Sequence, residues 1–346
     1  QNEQGLVDEA VPTLQEAAQR LERALGPRHP QCALVATMLA TALLEQGRFS
    51  EAEAELDRAR AIHAESVGSP PMPQFHVLAV RGELELRRRR WAAARGTFEE
   101  ALGLAEPIVG ATHPMLADMH FGLAHVEAAA GDRARALARA EPTLQRVEAA
   151  LGDAHPYVAR GWLHQGELQL DADDFDAATR SFERAKAINE RATPPEPAAV
   201  AWAECWLGRT ALASGEGAPA LARLVACVDG LAAELPDGNR LRLEALLALA
   251  SAQQQQGDGE GAAASLTTAE TWMAATRSAE DPALAWVRLS LARLRYDAAS
   301  TSEERTRIRR EAQPLHARLA AEPGWVTEAE SFDAWPSPAS APTPRP

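Results

Sequence analysis

The stretch GWLHQGELQLDADDFDAATRSFERA, Gly161–Ala185, decides how this chain folds. It is two apolar-patterned runs hinged at Asp173. Leu163, Gly166 and Leu170 stand ten, seven and three residues before the hinge, which puts them on one helix face at 100° per residue. Ala178, Phe182 and Ala185 follow it at offsets of four and three, again on one face. The small residues permit close helix approach and Phe182 fills the gap between them. Moving outward from Asp173, the hinge recurs at Gly5, Gly47, Arg89, Gly131, Gly215, Gly257 and Ala299, each 42 positions from the next. Self-similarity at that period is the sequence form of a solenoid, in which each hairpin buries its flank against the next. The expected fold class is therefore all-α.

The columns of the repeat bear this out. Behind the hinges run Ala10/Leu14/Ala17, Ala52/Leu56/Ala59, Ala94/Phe98/Ala101, a weaker Ala136/Ala140/Thr143, Ala220/Leu224/Cys227 and Ala262/Leu266/Ala269. Seven residues ahead of each hinge only Ala or Gly occurs: Ala40, Gly82, Ala124, Gly166, Gly208, Ala250 and Ala292. Glycine inside a helix costs about 1 kcal/mol against alanine, so a tight helix crossing is expected there. Three further columns complete an apolar stripe, headed by Leu44, Thr37 and Ala33 at three, ten and fourteen residues before the hinge. Between units, Leu25-Gly26-Pro27-Arg28-His29-Pro30 recurs as Val109–Pro114 and Leu151–Pro156, with Val67–Met72 as a variant. Its Gly suits a helix stop and its Pro a helix start. Thr193-Pro194-Pro195, Pro236-Asp237-Gly238 and Asp281-Pro282 are expected to do the same work. Pro142, inside a second helix, predicts a kink in the fourth unit.

Composition narrows the function classes. The formal net charge of -14 repels phosphate backbones and anionic lipid, so neither nucleic acid nor a membrane is expected as partner. The basic run Arg87–Arg90 reads as a solvated helix end favoured by the helix dipole. No uninterrupted apolar stretch approaches a membrane span. Cys32, Cys205 and Cys227 share no metal or redox spacing, and the last two fall on apolar columns, so reduced thiols in a cytoplasmic setting are expected. The chain opens at Gln1, just ahead of the Gly5 hinge, and reads as a piece of a longer protein.

These residues resemble the tetratricopeptide repeat, in the longer variety of kinesin light chains. The likeness rests on Leu207-Gly208 before a hinge, on Trp162 four residues ahead of Gly166, on Ala178–x3–Phe182–x2–Ala185, and on the Leu-Gly-x-x-His-Pro linker with its 42-residue period. It implies antiparallel helix pairs stacked into a right-handed superhelix whose first helices line a concave, peptide-binding groove. One departure matters. The Asn-Asn pair usual in kinesin light chains is replaced by Thr37-Met38, Ala79-Val80, Phe121-Gly122, Leu163-His164, Cys205-Trp206, Leu247-Ala248 and Leu289-Ser290, so kinesin-type cargo recognition is not carried over. Repeats of this variety also occur behind bacterial Ser/Thr kinase domains, which makes a regulatory region of such a kinase the alternative reading.

Positions thirteen and six before each hinge share one flank of the first helices, the flank that faces the groove in the resembling family. They hold Leu34 and Thr41, His76 and Glu83, Asp118 and His125, Arg160 and Glu167, Trp202 and Arg209, Glu244 and Ser251, and Trp286 and Arg293. Mixed charge with aromatic anchors is how protein-binding surfaces concentrate affinity. Asp118–Arg160 and Glu167–Arg209 are also neighbours able to pair with each other, and Trp202 and Trp286 can equally pack against the next helix. Catalytic signals are missing: no H-E-x-x-H, phosphate-binding loop or kinase signature occurs. His120 and His125 lie five apart and diverge on a helix, a poor metal pair. Neither a cofactor nor an enzyme site is expected.

The expected organisation is a solenoid over residues 1–298, a degraded last repeat with a capping helix over 299–322, and a Pro-rich disordered tail over 323–346. In that tail Trp325, Phe332 and Trp335 are candidates for docking as an internal ligand. The functional expectation is a noncatalytic module that holds a protein or peptide; self-assembly through the first helix near Gly5 is a further reading.

Overall fold

The computed structural model describes residues 7–65, 71–276, 281–325 and 335. Among them there are fifteen α-helices, two short 3-10 turns and no strand. The helices are α1 Val7–Leu25, α2 Pro30–Glu45, α3 Phe49–Glu65, α4 Pro71–Arg87, α5 Trp91–Val109, α6 Ala117–Ala129, α7 Arg133–Leu151, α8 Pro156–Asp171, α9 Phe175–Arg191, α10 Pro197–Ala213, α11 Gly217–Glu234, α12 Arg240–Gln255, α13 Gly259–Thr276, α14 Pro282–Ala298 and α15 Ser302–Ala320. No described helix is long and apolar enough to cross a membrane. The chain forms two compact units, Gln1–Ala245 and Leu246–Pro346.

The hinge column is where the first helix of each pair stops. Gly47, Gly131, Gly215 and Gly257 take positive φ, and so do Arg89 (φ 56) and Asp173 (φ 62). This left-handed residue turns the backbone so that an amide beyond it returns to a carbonyl of the last turn, as from Arg48 to Leu43 and Asp174 to Gln169, both at 2.9 Å. The linker is a second punctuation mark with its own chemistry. Gly26, Gly110 and Gly152 also have positive φ. The histidine three residues on is an N-cap: Nδ1 of His29, His113 and His155 accepts from the amides of Gln31, Met115 and Tyr157 at 3.2, 3.2 and 3.0 Å. Pro follows at the first helical position, where its missing N–H costs nothing. Asn239 and Asp281 cap α12 and α14 in the same way. The Gly5 hinge and residues 67–70 of the Val67–Met72 linker lie outside the described residues.

In the first unit, α2 pairs with α3, α4 with α5, α6 with α7, α8 with α9 and α10 with α11, and each hairpin packs on the next in chain order. The first helices also touch one another, α2 to α4 to α6 to α8 to α10, making an inner row. The core lies inside and between hairpins. Ala52/Leu56/Ala59, Ala178/Phe182/Ala185 and Ala220/Leu224/Cys227 are fully buried. The Ala/Gly column explains itself here. A Cβ on Gly82 would lie 2.3 Å from the Phe98 ring, and one on Gly166 would lie 2.5 Å from the Phe182 ring. Both glycines face a phenylalanine, whereas Ala40 and Ala250 stand opposite the smaller Leu56 and Leu266 in the repeat register. In α1, Val11 and Ala18 are buried while Ala10, Leu14 and Ala17 are half-buried, a register one residue later than expected.

Pro142 lies inside an unbroken α7, which runs from Arg133 to Leu151, with Ala140, Thr143, Leu144 and Val147 buried around it. Two expectations need correction. The run Arg87–Arg90 is not merely solvated. Arg87 pairs with Glu83 at 2.6 Å and Glu45 at 2.8 Å, Arg90 pairs with Glu53 at 2.9 Å, and Arg88 also pairs with Glu53, so acids of the preceding hairpin neutralise it. Cys205 and Cys227 are not free thiols: they form a disulfide between α10 and α11, with Cα atoms 5.3 Å apart. Their positions, ten before and twelve after the hinge, face each other across the hairpin. The argument for a reducing compartment therefore falls, and Cys32 alone is a free, buried thiol.

In the second unit α13 packs on α14 and α14 on α15. The capping helix is present as α15, where Ile308, Ala312 and Leu319 replace the usual small–large–small face. The tail expectation changes at its described residues. Pro323–Trp325 is a 3-10 turn, and Trp335 is 5% exposed. Its ring meets Tyr296 at 5.3 Å and the Arg293 guanidinium at 5.4 Å, and its carbonyl accepts from Arg309 Nη1 at 2.9 Å. Phe332 and the rest of the tail lie outside the described residues.

Candidate functional site

The inner row of the first unit carries the polar side chains. Glu83 and His76 come from α4, Asp118 and His125 from α6, Arg160, His164 and Glu167 from α8, Trp202 and Arg209 from α10, and Arg240 and Glu244 from α12.

Asp118 and Arg160 pair across adjacent repeats, and the Tyr157 hydroxyl donates to the same Asp118 oxygen at 2.9 Å. Burial works to raise the Asp118 carboxyl, but Arg160 outweighs it and holds the group below its ordinary range. Glu167 and Arg209 do not form the expected ion pair. Arg209 lies over the Trp206 ring, 3.9 Å from its centroid, and reaches Glu167 only through its field. Burial, reinforced by the charges of Glu244 and Asp171, outweighs Arg209 and pushes Glu167 up to about 8. Trp202 is half-buried, edge-on to Trp206 at 5.9 Å, and so both packs and lines the row. In the second unit Trp286 is half-buried against the α14–α15 core, Arg293 pairs with Asp297 at 2.8 Å, and Ser251 is exposed. Leu34 is 58% exposed, and Thr41 and His76 are exposed.

Two features escaped the sequence reading. His125 does not work with His120, which turns away under the linker beside Thr143 and Arg146. It meets His164 of the next repeat, Nε2 to Nδ1 at 3.0 Å, and Glu167 Oε2 stands 3.8 Å from the same nitrogen. Burial depresses both rings, His125 to about 4 and His164 to about 3, so both are neutral at ordinary pH. His164 occupies the second place of the missing Asn-Asn pair, a signal in the sequence that could have drawn attention to it. The other feature is Arg240, at the start of α12, which contacts Glu45 at the end of α2 at 3.3 Å and Glu244 at 2.7 Å. Residues 195 apart thus meet across the inner side of the first unit. The trough expected there is bridged at this contact.

Family models of the tetratricopeptide repeat match residues 2–65 and 122–157. Those two stretches are tetratricopeptide repeats. Solved structures agree at the level of fold. A Rap protein complexed with Competence and Sporulation Factor superposes with a TM-score of 0.57 at 13% identity, over 94% of this chain and 96% of that one. BtubC (BKLC) from P. vanneervenii gives 0.50 at 22% identity, over 66% and 91%. The nearly identical repeats of a kinesin light chain from Podosopora anserina give 0.44 at 19% identity, over 60% and 97%. No curated protein matches the chain in sequence. Tetratricopeptide repeats are a fold typical of protein-interaction modules.

Proposed function

We propose that the inner row of the first unit holds a segment of a protein partner and that the chain acts by binding, without catalysis. The observation that carries this reading is the concentration of mixed charge and aromatic surface on the first helices, at Glu83, Arg160, Trp202, Arg209 and Glu244. The second-helix columns, by contrast, are spent on the core. Rigid helices present these side chains at a fixed pitch, which suits an extended segment read by several weak contacts and a few anchors. The Rap protein of matching fold is complexed with Competence and Sporulation Factor; for this chain we infer a peptide ligand of its own. The existing ion pairs are part of the design. A ligand carboxylate can exchange for Asp118 on Arg160, and a ligand cation can take up Glu83 or Glu244, at little cost where the pairs are partly exposed.

The test is selection of peptides from a displayed library on the immobilised chain, followed by affinity measurement on variants. Glu83→Lys and Arg209→Glu are expected to weaken the selected peptides at least tenfold with helicity unchanged. Arg180→Glu, on the exposed side of α9, is expected to leave them unaffected. Equal binding by all three variants would refute the groove. The alternative, a regulatory region behind a bacterial Ser/Thr kinase domain, rests on architecture and is tested by the reading frame upstream of Gln1.

A further inference from the structure

We propose that His125, His164 and Glu167 form a binding site for one divalent transition-metal ion of the zinc class. His164 and Glu167 lie three residues apart on α8 and so share a face. His125 comes to them from α6, one repeat earlier. Their donor atoms all lie within 4.8 Å of one another, with 3.0 Å between the two imidazole nitrogens and 3.8 Å from His125 Nε2 to the carboxylate. A zinc ion bound to nitrogen and oxygen at about 2.0–2.2 Å in a tetrahedron holds its donors roughly 3.3 Å apart. The triangle needs to contract by roughly an ångström on its longer edges, within the reach of side-chain rotation.

The surroundings fit a site better than an accident of packing. Phe121, 2% exposed, stacks on the His164 ring at 4.9 Å and 23°, which fixes the plane in which Nδ1 points. The two rings meet edge to face at 66°, with nitrogens converging on one region. All three side chains keep partial access to solvent, so an ion can enter from the groove. The charged groups facing the site are Glu83, Asp118, Asp171 and Glu244 on the acidic side and Arg160, Arg209 and Arg240 on the basic side. Asp118 and Glu83 are already neutralised by Arg160 and Arg87, which leaves Glu167 as the carboxylate able to ligate. Two imidazoles with one carboxylate select zinc-like ions over Mg2+ or Ca2+, which prefer all-oxygen shells. The fourth position opens on the groove. A His, Asp or Glu of a bound segment would complete it, but the site as proposed needs no partner.

Calorimetric titration of the chelator-stripped chain with Zn2+ alone tests this. One equivalent is expected to bind, and Co2+ in its place to show the visible bands of a four-coordinate ion. Glu167→Gln and His164→Gln, both close in shape to the native side chains, are expected to weaken uptake at least tenfold while circular dichroism shows the fold intact. His316→Ala, on α15, is expected to have no effect. Absence of stoichiometric uptake, uptake unchanged in both variants, or preference for Mg2+ or Ca2+ would overturn the proposal. Because the probe is the metal alone, this result stands apart from the fate of the peptide-binding reading.

Discussion

Gly166 is tolerated inside α8 because nothing larger fits: the Phe182 ring occupies the place of its side chain. Replacing Gly166 with Ala gains about 1 kcal/mol of helix propensity but forces an overlap with an aromatic ring that is itself fully buried. The net is expected to be a loss of ~1–3 kcal/mol, read from the denaturant midpoint. Adding Phe182→Leu should restore much of it, because the double variant recreates the Ala–Leu pair of Ala40 and Leu56. Additive losses in the double-mutant cycle would contradict this account of the column. His29, His113 and His155 make a similar point about residue identity. They recur for the acceptor nitrogen that closes the next helix, not for metal or proton chemistry.

At the scale of the hairpin, the polar residues inside the fold follow the same periodicity as the apolar ones. The positions four before and eight after the hinge face each other and hold Glu85–Thr97 at 2.7 Å, Glu127–Arg139 at 2.8 Å, Gln169–Ser181 at 2.7 Å and Gln253–Ser265 at 2.9 Å. The positions ten before and twelve after face each other too, and in one hairpin both are cysteine. Closing 22 residues with a disulfide is worth about 3 kcal/mol in the chain-entropy model. Unfolded without reductant, the chain should therefore show one titratable thiol, Cys32, and reduction should lower the melting temperature; three thiols before reduction would contradict the bond. In the first unit, helix pairing and packing order were legible in the sequence because each hairpin repeats the same small–large–small face. The disulfide was not, because Cys205 and Cys227 each satisfied an apolar column and only the hairpin geometry sets them opposite. The sequence also offered a flank of the first helices as a set of positions. What those side chains do was not legible, since Arg209 chose the Trp206 ring over Glu167, and His125 met a residue 39 positions on.

Across the first unit, the contact of Arg240 with Glu45 ties the end of α2 to the start of α12 and makes the inner surface respond to acid. Burial alone would raise the Glu45 carboxyl; Arg240 and then Arg87 outweigh it and hold it near 2, against 4.5 when free. A depressed acid contributes stability that is complete above pH 4.5 and is lost as pH falls toward 2. With the side chain 30% open to water, ~2 kcal/mol is a fair scale for that contribution. Glu45→Gln is expected to flatten the fall of stability over this window, and an unchanged profile would show that the bridge carries no weight. The same bridged surface is where we propose that a ligand lies. Amide hydrogen exchange of the chain with and without a selected peptide tests that most directly. Protection confined to the first helices α4, α6, α8 and α10 is the predicted result. Protection on α5, α7 and α9 with the inner row unchanged would contradict it.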